Sequence, residues 1–378
     1  MFKKKYILIR DVTLLCIVCN LLYWMFPFPP IVWRFAMVLL SLYVIVVEKS
    51  DRLPCEKFVL LFVFINLGHF AVSYIWQNPQ IGQIGNVLCA LLPLSLFVSL
   101  SQKGVMNDRF FTYASVILLT AAILHYYQIE RTILIKLSAD EDADVTNNAS
   151  TAFLMLLPML FLMKNNVQKI AMLLICLFYI LLSAKRGNIL AAVIPTGLFV
   201  FSMLKDSRRS VLKTVMVLAF IIGGALMVNH WVETNDYLLH RIERTKEGSS
   251  SGREVIYRAA WHAWFDSDNI IALLFGYGSD ATTHLSSTGY HRAHNDWLEC
   301  LVDYGLIGAL FYLMIFMSLV VQIREVKPYR LKMALLASFL IWFFKSLYSM
   351  GFADETLSIS MISMGTVLGQ YKLEEEVS

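Results

Sequence analysis

Residues 297–321 read WLECLVDYGLIGALFYLMIFMSLVV. Glu299 and Asp303 are the charged residues in that run, and both fall within its first two turns. A helix needs on the order of 20 predominantly apolar residues to cross the hydrocarbon of a bilayer, and this run is long enough. Further runs of the same kind lie on either side of it. Toward the N-terminus they are Val12–Phe26, Ile31–Val47, Phe58–Trp76, Ile81–Leu100, Phe110–Tyr127, Ser150–Met163, Ile170–Ala184, Asn188–Leu204 and Val211–Val228. Toward the C-terminus they are Leu331–Leu347 and Leu357–Tyr371. The sixth and seventh are short, which suits tilted or re-entrant segments.

Composition agrees with that reading. Of 378 residues, 58% are hydrophobic and 16% charged, against roughly 45–50% and about 25% in soluble domains. The abundance of Phe, Tyr, Met and Trp suits a membrane interior with aromatic residues at both interfaces. The expectation is an all-α polytopic membrane protein of about 12 transmembrane helices. A net charge of +4 is too small to suggest a nucleic-acid partner. Cys16 and Cys19 form a C-x-x-C on a hydrophobic helix without a second pair, which points to packing rather than redox or zinc chemistry. The N-terminal MFKKK and the following run resemble a signal peptide. Arg10 and Asp11 interrupt that run and no small-residue cleavage site follows, so the expectation is an uncleaved first span.

Cytoplasmic loops of membrane proteins carry an excess of Lys and Arg. With the N-terminus inside, the inner segments collect Lys3–Lys5, Lys49, Arg52, Lys57, Lys103, Arg109, Lys164, Lys169, Lys205, Arg208, Arg209, Lys213, Arg324, Lys327, Arg330, Lys332 and Lys372. Both termini are then cytoplasmic. Two outer segments break the pattern: Lys185–Arg186 in a tight turn, and the stretch from about Asn229 to Asp296. Anion binding is the natural reason for basic residues placed against topology. The chain accordingly divides into residues 1–228 (spans one to nine), the long external loop 229–296, and residues 297–378 (spans ten to twelve).

A loop of that length is itself a functional suspect. It holds or borders His230, His240, His262, His284, His291 and His294. Ser251 and Glu254 have capping-box spacing, which predicts a helix start, with Arg253 in its first turn near an end that already favours anions. Arg253, Tyr257 and Trp261 then share a face, either as an anion site or as a helix lying on the membrane. His291 and His294 form H-x-x-H, but a third metal ligand would have to come from His284, His262 or Asp280, none at a patterned spacing. A neutral histidine acting as general base is the stronger chemical reading. Arg186 is either a functional charge at membrane depth or a partner of lipid phosphates. Asp296, Glu299 and Asp303 are possible orienting partners of His294; Glu299 and Asp303 alternatively solvate the top of the span.

Taken together, Ser183-x-x-Arg186-Gly187, the Ser251–Gly252–Arg253…Trp261 segment, Gly276-x-Gly278 and His294–Asn295-x-x-Leu298–Glu299…Gly305-x-x-Gly308 resemble the O-antigen ligase and polymerase family of bacterial inner membranes. The likeness covers roughly residues 183–308; the N-terminal half agrees in hydropathy. Lys185 departs from the pattern, a small or polar residue being commoner there, and the loop is modest in size. The resemblance implies one long periplasmic loop containing short helices, and a metal-independent glycosyltransferase without cofactor. The donor would be a glycan on undecaprenyl diphosphate, and the acceptor lipid A–core or a second lipid-linked glycan. It implies diphosphate binding by Arg186 and Arg253 and service to the acceptor hydroxyl by His294. Substrate contacts are expected from Lys185, Tyr257, Trp261, Arg258, His291, Asn295 and Glu299. A different class of reading, a secondary transporter for an anion, would use Arg10, Asp11, Lys345, Asp354 and Glu355 at span ends, although no matched pair of Gly/Pro-interrupted spans marks a transport site.

Overall fold

The computed structural model describes residues 2–48, 51–76, 81–139, 147–183, 185–205, 253–289 and 291–377, and every regular element among them is helical. The first half comprises α1 (Phe2–Leu21), α2 (Pro30–Val47), α3 (Pro54–Trp76), α4 (Ile81–Leu91), α5 (Pro93–Gln102), α6 (Asp108–Ala139), α7 (Ser150–Leu156), α8 (Asn166–Leu182) and α9 (Arg186–Lys205). The second comprises α10 (Arg253–Phe265), α11 (Ile270–Phe275), α12 (Asp296–Glu325), α13 (Tyr329–Tyr348) and α14 (Leu357–Val377). The expected ninth span Val211–Val228, His230, His240 and the Ser251 cap lie outside the described residues.

Each of the other eleven apolar runs is helical, but they differ in length and polarity. Among the described residues, seven helical segments are long and apolar enough to cross a membrane: α2, α3, α4 with α5, α6, α9, α12 and α13. The expected dozen is therefore met in part. Two runs stay short: α7 tightens at Leu157–Phe161 into a 3-10 turn that starts around Pro158, and α8 spans 17 residues. Pro30 and Pro93 sit where a missing N–H costs nothing, opening α2 and α5, whereas Pro195 lies inside α9.

α14 runs through the interior, with Ile359, Ile362, Val367 and Leu368 fully buried. Gly365 and Gly369 face α5 so closely that a Cβ would come 2.6 Å from Phe97 Cβ and 2.4 Å from the Val98 carbonyl oxygen. Small residues four apart let two backbones approach in this way, and Ser101 Oγ donates to the Thr366 carbonyl at 2.8 Å across the contact.

Alternating helix directions give the bundle two chemically distinct ends. One holds the Lys103–Glu48 and Lys164–Asp108 ion pairs, and Arg330 bonded to the Phe161 and Met163 carbonyls. The other holds Arg34, which donates to Asn20, Asn86 and Glu355.

Candidate functional site

The site is assembled by the first turns of α12. Asn295 caps that helix, its Oδ1 accepting from Trp297 N and Leu298 N. Asp296, Glu299 and Asp303 follow at i, i+3 and i+7 on one buried face. The three carboxylates hold the segments around the start of the helix, Glu299 and Asp303 sharing residues 280–282 between them. Asp296 accepts from Gly351 N (2.8 Å), Phe352 N (3.2 Å) and Tyr312 Oη (2.5 Å). Glu299 accepts from Ala293 N at 2.6 Å and Thr282 Oγ1 at 2.7 Å. Asp303 accepts from Asp280 N at 3.0 Å and Ala281 N at 2.9 Å. Buried carboxylates persist where hydrogen bonds satisfy them, and here those bonds tie three connecting segments to one helix.

A backbone contact completes the frame. Gly305 (φ 67°, ψ −165°) interrupts α12, so carbonyls before the break turn outward. Val302 O accepts from Tyr277 N at 2.8 Å and Asp303 O from Gly278 N at 3.0 Å. Gly276 also has positive φ, and a Cβ there would lie 2.4 Å from the Asp303 carbonyl carbon. The Gly-x-Gly and Gly-x-x-Gly motifs thus meet each other. Nearby, Arg292 Nη2 pairs with buried Asp280 at 2.9 Å. Burial raises the Asp280 pKa and Arg292 opposes that rise.

His294 stands between the residue held by Glu299 and the α12 cap. Its φ of 52° is left-handed, a conformation that costs a non-glycine residue energy and persists where the surroundings impose it. This turn directs His294 into a cavity of about 620 Å³. Lys185, Arg186 and Gly187 from the α8–α9 turn, Arg253 from the start of α10, and Tyr348 from the end of α13 line the same cavity. The segment 349–356 contributes Asp354, Glu355 and Thr356, while Asn86, His125, Asn148 and Thr151 come from the N-terminal half. Gly187 is needed for this closeness, because a Cβ there would fall 2.1 Å from the Tyr348 ring.

Positive charge dominates the part of the cavity near His294. Burial, then the charges of Arg253, Arg292, Lys185 and Lys345, hold the His294 pKa down to about 4, so the imidazole is neutral at physiological pH. Burial, then Lys345, lowers Lys185 to about 8. Lys345 is itself buried and donates to the Met350 carbonyl at 2.7 Å and to Asp354 Oδ2 at 2.6 Å. Burial alone would raise the Asp354 pKa, but Lys345 and Thr356 outweigh it and keep that group charged.

The structure brings Lys185, Arg186, Arg253 and His294 together from three separate segments. Tyr257 lies beside them, its hydroxyl donating to the His294 carbonyl at 3.4 Å. The other expected substrate contacts lie outside the cavity lining. Trp261 stacks on Phe265, with ring centroids 5.3 Å apart, and Arg258 and His291 are exposed elsewhere. Asn295 spends its side chain on the α12 cap and on the Leu347 carbonyl, and Glu299 is fully buried under the loop it anchors. Asp296, Glu299 and Asp303 therefore hold loops rather than the imidazole. Of the residues marked for a transport path, Arg10 and Asp11 pair with each other at 2.8 Å, whereas Asp354 and Glu355 line the cavity, with Lys345 behind Asp354. Among the described residues, no group of three His, Cys, Asp or Glu side chains is placed to hold a metal ion.

Sequence reading missed Tyr348, Asn86, His125, Asn148 and Thr151 as cavity residues. Two of the site's polar groups, His125 and the nearby Arg34, did carry a signal, because each interrupts an apolar run, and polar groups inside spans mark functional candidates.

A family model described as O-antigen ligase matches residues 171–313. No curated protein matches the chain.

Proposed function

Because the match over residues 171–313 supports placing this chain in the O-antigen ligase/polymerase family, we propose that it transfers a glycan from undecaprenyl diphosphate to an acceptor at the periplasmic face of the inner membrane. The observation that carries the reading is the convergence of Lys185, Arg186, Arg253 and His294 on one cavity. The acceptor is lipid A–core for a ligase, or a second lipid-linked glycan for a polymerase of O-antigen or exopolysaccharide. With both termini cytoplasmic, the cavity end of the bundle faces the periplasm.

In this mechanism Arg186, Arg253 and Lys185 receive the donor diphosphate. A guanidinium presents a planar fork of donors that matches phosphate oxygens. The acceptor hydroxyl oxygen attacks the anomeric carbon while its proton passes to His294. The bond from that carbon to the phosphate oxygen breaks, and the electron pair stays on the departing diphosphate. Fixed cations that meet this developing charge lower the barrier without a metal ion, so activity is expected to survive EDTA. The cations that depress the His294 pKa are neutralised when the diphosphate sits among them. Burial, the larger cause of the low pKa, remains, so donor binding removes the cations' share and raises the basicity of the imidazole toward the acceptor proton.

The test is glycan gel analysis of a strain deleted for this protein and complemented with wild type, Arg253→Ala or His294→Ala. A ladder restored by wild type and lost in both variants supports the reading. A bare core in the variants identifies a ligase, and a single repeat on the core a polymerase. A full ladder from either variant, at normal protein level, overturns the mechanism.

A further inference from the structure

The cavity extends past the cationic residues into a second group of polar side chains, supplied by segments outside residues 171–313. Arg34 organises it. Its Nε donates to Asn20 Oδ1 at 2.9 Å, its Nη1 to Asn86 Oδ1 at 2.6 Å, and its Nη2 to Glu355 Oε1 at 2.9 Å. Each bond uses an oxygen, so the Asn86 amide N–H groups and Glu355 Oε2 keep capacity for something else. Both residues line the cavity. Two further lining residues carry buried polar atoms without a partner among the described residues: His125 Nδ1 and Tyr348 Oη. Buried polar atoms are nearly always hydrogen-bonded, so a set left open around one cavity points to a ligand that donates and accepts. Phosphate does not fit this end, since it offers acceptors and would meet the Glu355 carboxylate. Sugar hydroxyls do fit, because each is both donor and acceptor.

We propose that Asn86 and Glu355, both oriented by Arg34, form with His125 a subsite for the hydroxyls of the saccharide residue attached to the diphosphate. The inference rests on the reading of the cationic residues as the diphosphate site and adds the sugar-recognition half. Asp354 is not the recognition group, because Lys345 and the Thr356 N–H and hydroxyl already occupy both of its oxygens. Arg34 is a positioning residue that presents the Asn86 amide and the Glu355 carboxylate toward the same space.

The test compares binding of two probes to the full chain in lipid nanodiscs: undecaprenyl diphosphate, and the same lipid carrying one N-acetylhexosamine. Wild type should bind the sugar-bearing probe about tenfold more tightly, the size of one or two net hydrogen bonds. Glu355→Gln and Asn86→Ala should erase that difference and leave the bare lipid's affinity unchanged, which also shows that both variants are folded. Arg253→Ala should weaken both probes together. Equal binding of the two probes by wild type overturns the subsite while leaving the diphosphate site standing. So does an intact sugar preference in both variants, or a Glu355→Gln effect equal on both probes. Failure of wild type to bind the bare lipid overturns the diphosphate reading itself, and the subsite with it.

Discussion

Arg253 Nη1 donates to the main-chain carbonyl of Tyr348 at 2.8 Å. That bond ties the start of α10, next to the long loop, to the end of α13, and Tyr348 in turn packs against Gly187 beside Arg186. One guanidinium therefore both faces the cavity and fastens two of the segments that enclose it.

Arg253→Ala should lower transfer by about 10²–10³-fold, the usual cost of deleting one donor aimed at developing negative charge. Arg253→Lys should recover little, because an ammonium cannot both hold the Tyr348 carbonyl and present a fork to phosphate. Transfer assays on protein that elutes as a single species check this, and near-wild-type rates from the lysine variant would contradict it.

The pH dependence should show a separation between free and donor-bound enzyme. With His294 held at about 4 in the empty site, the imidazole is neutral above that pH, and the acid limb of kcat/KM should fall near it. Bound diphosphate offsets the surrounding cations and raises the His294 pKa, so the acid limb of kcat should lie at higher pH. Coincident limbs, or limbs unchanged in His294→Gln, would remove His294 as the proton acceptor.

Lys185 supplies the alkaline side. Its pKa of about 8 means that its positive charge is present below that pH and lost above it. Donor affinity should therefore hold to about pH 8 and then fall. Lys185→Arg should keep affinity level through pH 9, because a guanidinium stays protonated. Titration of undecaprenyl diphosphate binding across pH 6–10 reads this directly.

Gly276→Ala should destabilise the protein more than Gly104→Ala. Both positions have positive φ, at +76° and +65°, and that strain costs about 1–3 kcal/mol for a residue with a Cβ. At Gly104 nothing lies within 4 Å of the added atom, whereas at Gly276 it would meet the Asp303 backbone at 2.4 Å. Thermal melts of the two variants in detergent should rank them in that order. The larger loss should bring lower transfer with it, since the 276–278 segment is bonded to the helix that positions His294.

Several parts of this arrangement were legible in the chain itself. The apolar runs were long and bounded by charge, so helices with known limits followed; the bilayer's thickness makes length and composition sufficient for that inference. Runs built around Pro158, or carrying charges as α1 does, fell short of the length and apolarity a span requires. Arg186, Arg253 and His294 stood out because basic groups and histidines gathered against the topological trend. Glu299 and Asn295, expected as substrate contacts, make hydrogen bonds within the chain that no sequence pattern announced. A carboxylate or amide near a motif looks the same in sequence whether it faces a ligand or satisfies buried backbone N–H groups.

Hydropathy and charge asymmetry are local, additive properties of the chain, and they sufficed to mark a helical membrane protein and the cations and histidine to watch. Helix packing brought those residues to one cavity and set Asp296, Glu299 and Asp303 to hold loops. It alone placed Arg34, Asn86 and Glu355, distant in sequence, beside them. A buried polar group's role is set by the partner that satisfies it, and partners such as Arg34 and Glu355 become neighbours only when the helices pack.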